Sequence, residues 1–172
     1  MPKKLQVEST KLDGVLLIGA PTNFEDFRGT YVEIYNRKLY EEVGVPDEFI
    51  QDDISTSRKH VLRGVHGDQK TWKLVSCLAG SFYLLIVNND PESPQYRHWE
   101  GFTLSERNAV QVLIPPKFGN GHVVMSEFAI FHYKQTTAYN RESQFTIRWN
   151  DPEYGFWWPV VAPIVSRRDQ GV

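Results

Sequence analysis

The sequence predicts an all-β domain, a sandwich or a barrel, and three observations carry that expectation. Short runs rich in β-branched and aromatic residues recur along the 172-residue chain. Gly and Pro punctuate those runs at close intervals, and helix signals are weak. Aromatic residues make up 13% of the chain, which suits a β-rich core or a pocket that stacks against planar or sugar ligands.

The first clear strand signal is residues 30–35. Residues 73–77 and 82–87 flank Ala79-Gly80-Ser81 and read as a hairpin. Val110–Ile114 is a short apolar run that stops at Pro115-Pro116, which cannot continue a central strand. Residues 123–134 hold two strand segments broken around Ser126-Glu127, and residues 145–149 add a late one. Residues 38–43 offer a turn or two of helix before Gly44 and Pro46, and residues 105–108 a single turn. A jelly-roll barrel built from such strands can enclose a small ligand, with inward-facing residues alternating along each strand. On that period Lys73 shares a face with Val75 and Cys77, and Tyr133 with Phe131 and Ala129. A Lys and a Tyr on apolar inward faces are costly unless they do polar work.

Hydrophobic residues at 41% and charged residues at 23% describe an ordinary globular chain, and its length fits one domain over residues 1–172. A net charge of −2 gives no chain-wide basic field for nucleic acid or a membrane surface, so neither is expected as a partner. The single Cys77 rules out an internal disulfide, lies in an apolar run and reads as core. Met1-Pro2-Lys3-Lys4 is not followed by an apolar leader, and no stretch reaches the roughly 18 apolar residues of a membrane span. A cytoplasmic setting is expected.

Chemistry concentrates in three segments. In the first, Arg63, His66 and Lys73 crowd one short stretch between apolar runs. A His among cations has its basicity lowered, and a carboxylate partner can restore it, which suits a general base. Lys73 could neutralise the enolate oxygen that forms when a proton leaves carbon beside a carbonyl. The bland alternative is a structural His. The second segment, residues 114–122, reads either as a Pro/Gly turn or as a loop at a barrel mouth that presents Asn120 or His122 to ligand. In the third, Tyr133 is either core filler or a phenol able to return a proton from the side opposite a base. By composition alone, residues 149–152, 158–159 and 166–169 are turns and a surface tail.

Taken in order, these segments resemble the dTDP-4-dehydrorhamnose 3,5-epimerase family. The likeness runs from Asp26-Phe27-Arg28-Gly29 through Val61-Leu62-Arg63-Gly64-Val65-His66, Lys73-Leu74-Val75, the stretch 119–122 and Tyr133-Lys134. It continues to Trp149-Asn150-Asp151, Trp158-Pro159 and residues 166–169, so it covers nearly the whole chain.

The resemblance implies a cupin-type jelly roll with short peripheral helices, a homodimer with exchanged N-terminal strands, and no cofactor or metal. It implies that His66 is the base, Asp169 its carboxylate partner, Tyr133 the proton donor on the opposite face and Lys73 the residue near the keto oxygen. Arg63 and His122 match substrate-pocket positions. Arg28, Tyr31, Glu33 and Gln51 match positions that hold nucleotide or phosphate, partly across the dimer, with Tyr31 in place of the more usual Phe. The substrate implied is a nucleotide-linked 4-keto sugar, epimerised at C3, C5 or both for surface polysaccharide biosynthesis. Three features depart from the rhamnose enzymes: Gly67-Asp68 after the His, a shorter loop from His66 to Lys73, and Phe82-Tyr83-Leu84-Leu85 without an acidic residue. The pattern His66-Gly67-Asp68, Lys70-Thr71-Trp72-Lys73-Leu74-Val75, with Gly119-Asn120-Gly121-His122 later, looks more like a subgroup acting on GDP-linked 4-keto heptoses.

Two rival readings follow from the same residues. His66, Asp68 and His122 form the two-His, one-carboxylate pattern of iron(II) oxygenases on jelly-roll barrels, although Lys73 beside a dication is unfavourable. A non-catalytic sugar-binding module would keep the aromatic pocket but has no use for the His, Lys and Tyr set.

Overall fold

The computed structural model describes residues 4–20, 22–46 and 48–171. Met1 to Lys3, part of the start read above for a leader, lie outside the described residues. The N-terminal strands are β1 (Gln6–Ser9), β2 (Leu16–Gly19), β3 (Thr22–Asp26) and β4 (Gly29–Glu33), followed by the short helix α1 (Arg37–Glu41). The body comprises β5 (Gln51–Arg58), β6 (Leu62–Gly67), β7 (Lys73–Ala79), β8 (Ser81–Asn88), β9 (Trp99–Ser105), β10 (Val110–Ile114), β11 (Phe118–Val124) and β12 (Phe128–Gln135). The chain closes with β13 (Phe145–Thr146) and α2 (Arg167–Gln170).

Two antiparallel sheets face each other, in the orders β1-β2-β10-β7-β12-β5 and β13-β6-β11-β8-β9, while β3 and β4 form a separate hairpin. The central core comes from both inner faces. Val75, Val112, Ile114, Ala129 and Phe131 of the first sheet meet Phe82, Leu84, Ile86, Leu104 and Val124 of the second. Burying such side chains is worth about 1.5–3 kcal/mol each. The outer face of the six-stranded sheet packs Ile18, Leu74 and Leu113 under Tyr40 of α1 and Val45. The outer face of the other sheet packs Leu62, Val65, Leu85 and Val123 under Ile147 and Trp158 of the C-terminal segment. Both sheets are therefore covered, and the apolar alternation read from the sequence sets which residues point inward.

The expected turn between β7 and β8 is present, with Gly80 at φ +72°, a left-handed conformation that favours glycine. The helix expected at residues 38–43 forms as α1. The turn expected at residues 105–108 is not helical: Asn108 Oδ1 accepts the backbone N–H of Ser105 and Val110 and closes a reverse turn instead. The stretch 114–122 is also not a loop throughout, because Phe118–Val124 is a strand inside the five-stranded sheet. Its glycines hide the alternation while letting neighbouring strands approach closely. At 145–149 the ladder ends after Thr146, and Ile147 continues it only by exchanging backbone hydrogen bonds with Val65.

Candidate active site

One end of the barrel is left open by the central core, and a cavity of about 870 Å³ occupies it. Strand β6 supplies Arg63 and His66 to its wall, β7 supplies Lys73, β11 supplies Asn120 and His122, β12 supplies Tyr133, and α2 supplies Asp169. Seven residues singled out in the sequence therefore meet in one space. The β6 residues reach it because Gly64, at φ +114°, lets β6 press against β11: a Cβ there would lie 2.6 Å from the Gly121 Cα. Register then sets His66 opposite Asn120 and His122 opposite Arg63.

His66 Nε2 lies 2.7 Å from Asp169 Oδ1, and Ser166 Oγ donates to Asp169 Oδ2 at 2.9 Å. Ser166 is the N-cap of α2, accepting the Asp169 backbone N–H, so the helix start and the carboxylate fix one another. Burial works to raise the Asp169 pKa. Hydrogen bonds from His66, Ser166 and the Gly64 N–H outweigh it and hold the carboxyl below its ordinary value. With Nε2 engaged by a carboxylate, Nδ1 is the ring nitrogen left to take a proton.

Lys73 is buried, and its Nζ donates to Asn120 Oδ1 at 3.2 Å. Burial lowers its pKa, and the negative charge of Asp68 partly opposes that. His122 is buried and stacks on Phe131 at 4.1 Å between ring centroids. Burial, then the charge of Arg63, push its pKa down to about 3, so the ring is neutral, and its Nε2 has no hydrogen-bond partner among the described residues. Arg63 donates from Nε to Ser57 Oγ at 2.9 Å. Tyr133 stands on the six-stranded sheet, across the barrel from His66 on the other. Burial, then the charge of Asp53, raise its pKa to about 12, so it is a phenol at neutral pH.

Four expected residues lie elsewhere. Arg28, Tyr31 and Glu33 sit on or beside the turn and second strand of the β3–β4 hairpin, and none of them lines the cavity. Arg28 is exposed and pairs with Asp26, and Tyr31 is 64% exposed. Gln51 stands behind the wall: its Nε2 donates to Asp53 Oδ2 at 2.8 Å, and its Oε1 accepts the Tyr139 N–H at 2.9 Å.

Residues not foreseen in the sequence also line the cavity, among them Asp53, Tyr139, Arg141, Gln144, Arg167 and Arg168. Alternation along β5 (Asp53, Ser55, Ser57) was the available signal for the first; the others sit on short connecting segments or on the four-residue α2, too short to show a periodicity. Arg63, Lys73, Arg141, Arg167 and Arg168 outnumber Asp53 and Asp169, so the cavity is basic in a chain of net charge −2. That local excess suits an anionic ligand.

The iron-oxygenase reading is not supported by the same geometry. Asp68 Oδ1 accepts the backbone N–H of Lys70 and Thr71 in a turn, and Asp68 does not reach the cavity. His66 Nε2 is taken by Asp169. No group of three His, Cys, Asp or Glu among the described residues could hold a metal ion. Among the described residues, no helix is long and apolar enough to cross a membrane.

Residues 9–172 match the profile of the family described as dTDP-4-dehydrorhamnose 3,5-epimerase. An enzyme of that name from Salmonella typhimurium is 40% identical over 168 residues, 95% of this chain and 91% of the relative. Another from Pseudomonas aeruginosa is 39% identical over 159 residues, 90% of this chain and 88% of the relative. The crystal structure of the dTDP-6-deoxy-D-glucose-3,5-epimerase from Legionella pneumophila, in complex with dTDP-4-keto-L-rhamnose, superposes with a TM-score of 0.92 at 37% identity. That match covers 97% of this chain and 90% of the other. The likeness establishes the cupin-type jelly roll expected from the sequence.

Proposed function

The chain belongs to the dTDP-4-dehydrorhamnose 3,5-epimerase family, a family of isomerases, and we propose that it inverts C3 and C5 of a dTDP-linked 4-keto-6-deoxyhexose by proton transfer through an enolate. A single epimerase domain would span residues 1–172, working in the cytoplasm to supply a sugar for surface polysaccharide. The observation that carries the mechanism is the placement of an Asp-paired His and a neutral Tyr on facing sheets of one basic cavity.

The 4-keto group acidifies the protons on C3 and C5. His66 Nδ1 takes one of them, the C–H electron pair moves into the ring and onto the keto oxygen, and Asp169 stabilises the imidazolium. Lys73, whose positive charge is disfavoured by burial, gains a counter-charge when the enolate oxygen forms beside it. Asn120 orients that ammonium through its 3.2 Å hydrogen bond. Tyr133 then gives its proton to the opposite face of the same carbon; the O–H bond breaks as the C–H bond forms, and the centre is inverted. Water returns a proton to the phenolate and removes one from the imidazolium, so the net change is isomerisation alone. The substrate's own carbonyl is the electron sink. Arg63, Arg141, Arg167 and Arg168 supply positive charge for the diphosphate.

The remoteness of Arg28, Tyr31 and Glu33 fits a homodimer in which the β3–β4 hairpin reaches the partner's cavity. Phe24 and Phe27 on that hairpin are 53% and 97% exposed, an apolar surface that calls for a cover.

Proton NMR of dTDP- and GDP-linked 4-keto-6-deoxy sugars incubated with the protein tests the proposal. Inverted ring couplings at C3 and C5 of the dTDP sugar are expected. Turnover of the GDP sugar alone would transfer the assignment to the GDP-linked class suggested by Gly67-Asp68. No change in either sugar would overturn the epimerase reading.

A further inference from the structure

We propose that Asp53 is a positioning residue for the Tyr133 proton donor, a role that rests on the epimerase reading above. The two residues stand directly opposite one another on β5 and β12, and both line the cavity. Directly opposed residues of an antiparallel pair bring their Cβ atoms within about 4.5–5.5 Å, close enough for side chains to interact.

The carboxylate is held from behind. Gln51 Nε2 and Gln135 Nε2 both donate to Asp53 Oδ2, at 2.8 and 2.9 Å. Gln135 is 2% exposed, and the Gln51 amide is oriented in turn by the Tyr139 N–H on its Oε1. Two donors on Oδ2 leave Oδ1 available as an acceptor, and after burial the charge and hydrogen bonding of Asp53 raise the Tyr133 pKa. Asp53 thereby pins the phenol oxygen to one place on the wall and disfavours a lingering phenolate. After Tyr133 has given its proton to carbon, the phenolate left beside a carboxylate draws a proton back from water, which readies the donor for the second centre.

Asp53→Asn makes the test sharp because the fixed amide donors dictate how Asn must sit. Its carbonyl oxygen is required where Oδ2 was, so its NH₂ faces Tyr133 and the acceptor becomes a donor. The measurement is made in deuterated water with the dTDP-linked 4-keto-6-deoxyhexose. It compares deuterium gained with retained configuration against deuterium gained with inversion.

Asp53→Asn is expected to keep retained-configuration exchange within a few-fold while inversion falls by about ten- to a hundredfold, less than the roughly 10²–10⁴-fold contributed by a positioned general acid, because the acid itself is still present. The ratio of the two then moves toward that of Tyr133→Phe, and Asp53→Ala moves it the same way. Because the ratio is read from whatever folded enzyme is present, partial misfolding cancels. An unchanged ratio in both Asp53 variants, with the parent active, overturns the positioning role and leaves the epimerase reading standing. No exchange or inversion by the parent overturns both.

Discussion

Asp169→Asn isolates the electrostatic half of the dyad. The substitution preserves shape, so Ser166 and the Gly64 N–H can still hold the side chain through its oxygen. The amide NH₂ must then face His66 Nε2, where Asp169 Oδ1 now lies at 2.7 Å. A donor in that place forces Nε2 to accept and moves the ring proton to Nδ1, the nitrogen that should take the substrate proton. Loss of a charge-assisted hydrogen bond alone is worth about 1.5–3 kcal/mol. At about 1.36 kcal/mol per tenfold, that is roughly a 10- to 150-fold loss in rate. A wrong tautomer raises the loss toward the roughly 10⁴-fold drop seen when the Asp of a Ser-His-Asp triad becomes Asn. Steady-state kinetics on the dTDP-linked 4-keto sugar should therefore show kcat reduced by about 10²–10⁴-fold with KM little changed. A variant that turns over within about threefold of the parent, a difference below 1 kcal/mol, would refute the role given to the pair.

Tyr133→Phe should retain proton loss from carbon but slow inversion by about 10²–10⁴-fold, read as deuterium exchange without a change of configuration. Lys73→Met should lower kcat by about 10²–10³-fold, since it removes the charge proposed to face the enolate oxygen. Burial depresses the Lys73 pKa, so the unfolded chain binds more protons; parent stability should rise as pH climbs toward the ordinary lysine value of 10.5, a gain that denaturant titrations of Lys73→Met should lack. Asp169 has the same sign in an acidic window: its depressed pKa contributes stability above the ordinary carboxyl value of 3.8 that is lost as pH falls through the folded value. Denaturant titrations of Asp169→Asn should show a shallower loss over that window. Phe24→Asp combined with Phe27→Asp should convert the proposed dimer to monomers by light scattering and reduce turnover.

The sheets were legible where alternation was strong. Lys73 with Val75 and Cys77, and Tyr133 with Phe131 and Ala129, share inward faces as the period of two requires. β11 was not legible as a strand, because Gly119 and Gly121 blank the pattern at the places where β6 and β8 need room. Asp169 illustrates a different limit. Composition makes 166–169 a surface tail, yet Asp169 is 3% exposed against a His 103 residues away. Nothing local encodes that contact, and only the family resemblance pointed to it. Asp53 was within reach of alternation along β5, but a carboxylate beside a basic cavity is not what charge matching to an anionic ligand selects. Its reason lies in the Gln51 and Gln135 amides behind it, which meet it only in the folded sheet.

The most direct test of the account is proton NMR of the dTDP-linked 4-keto-6-deoxyhexose with the protein in deuterated water, beside the His66→Asn variant. The parent should place deuterium at C3 and C5 with inversion, and His66→Asn should place none while still binding the nucleotide sugar. Deuterium at those carbons at the parent rate in His66→Asn, or none with the folded parent, would contradict proton abstraction by the Asp169-paired histidine.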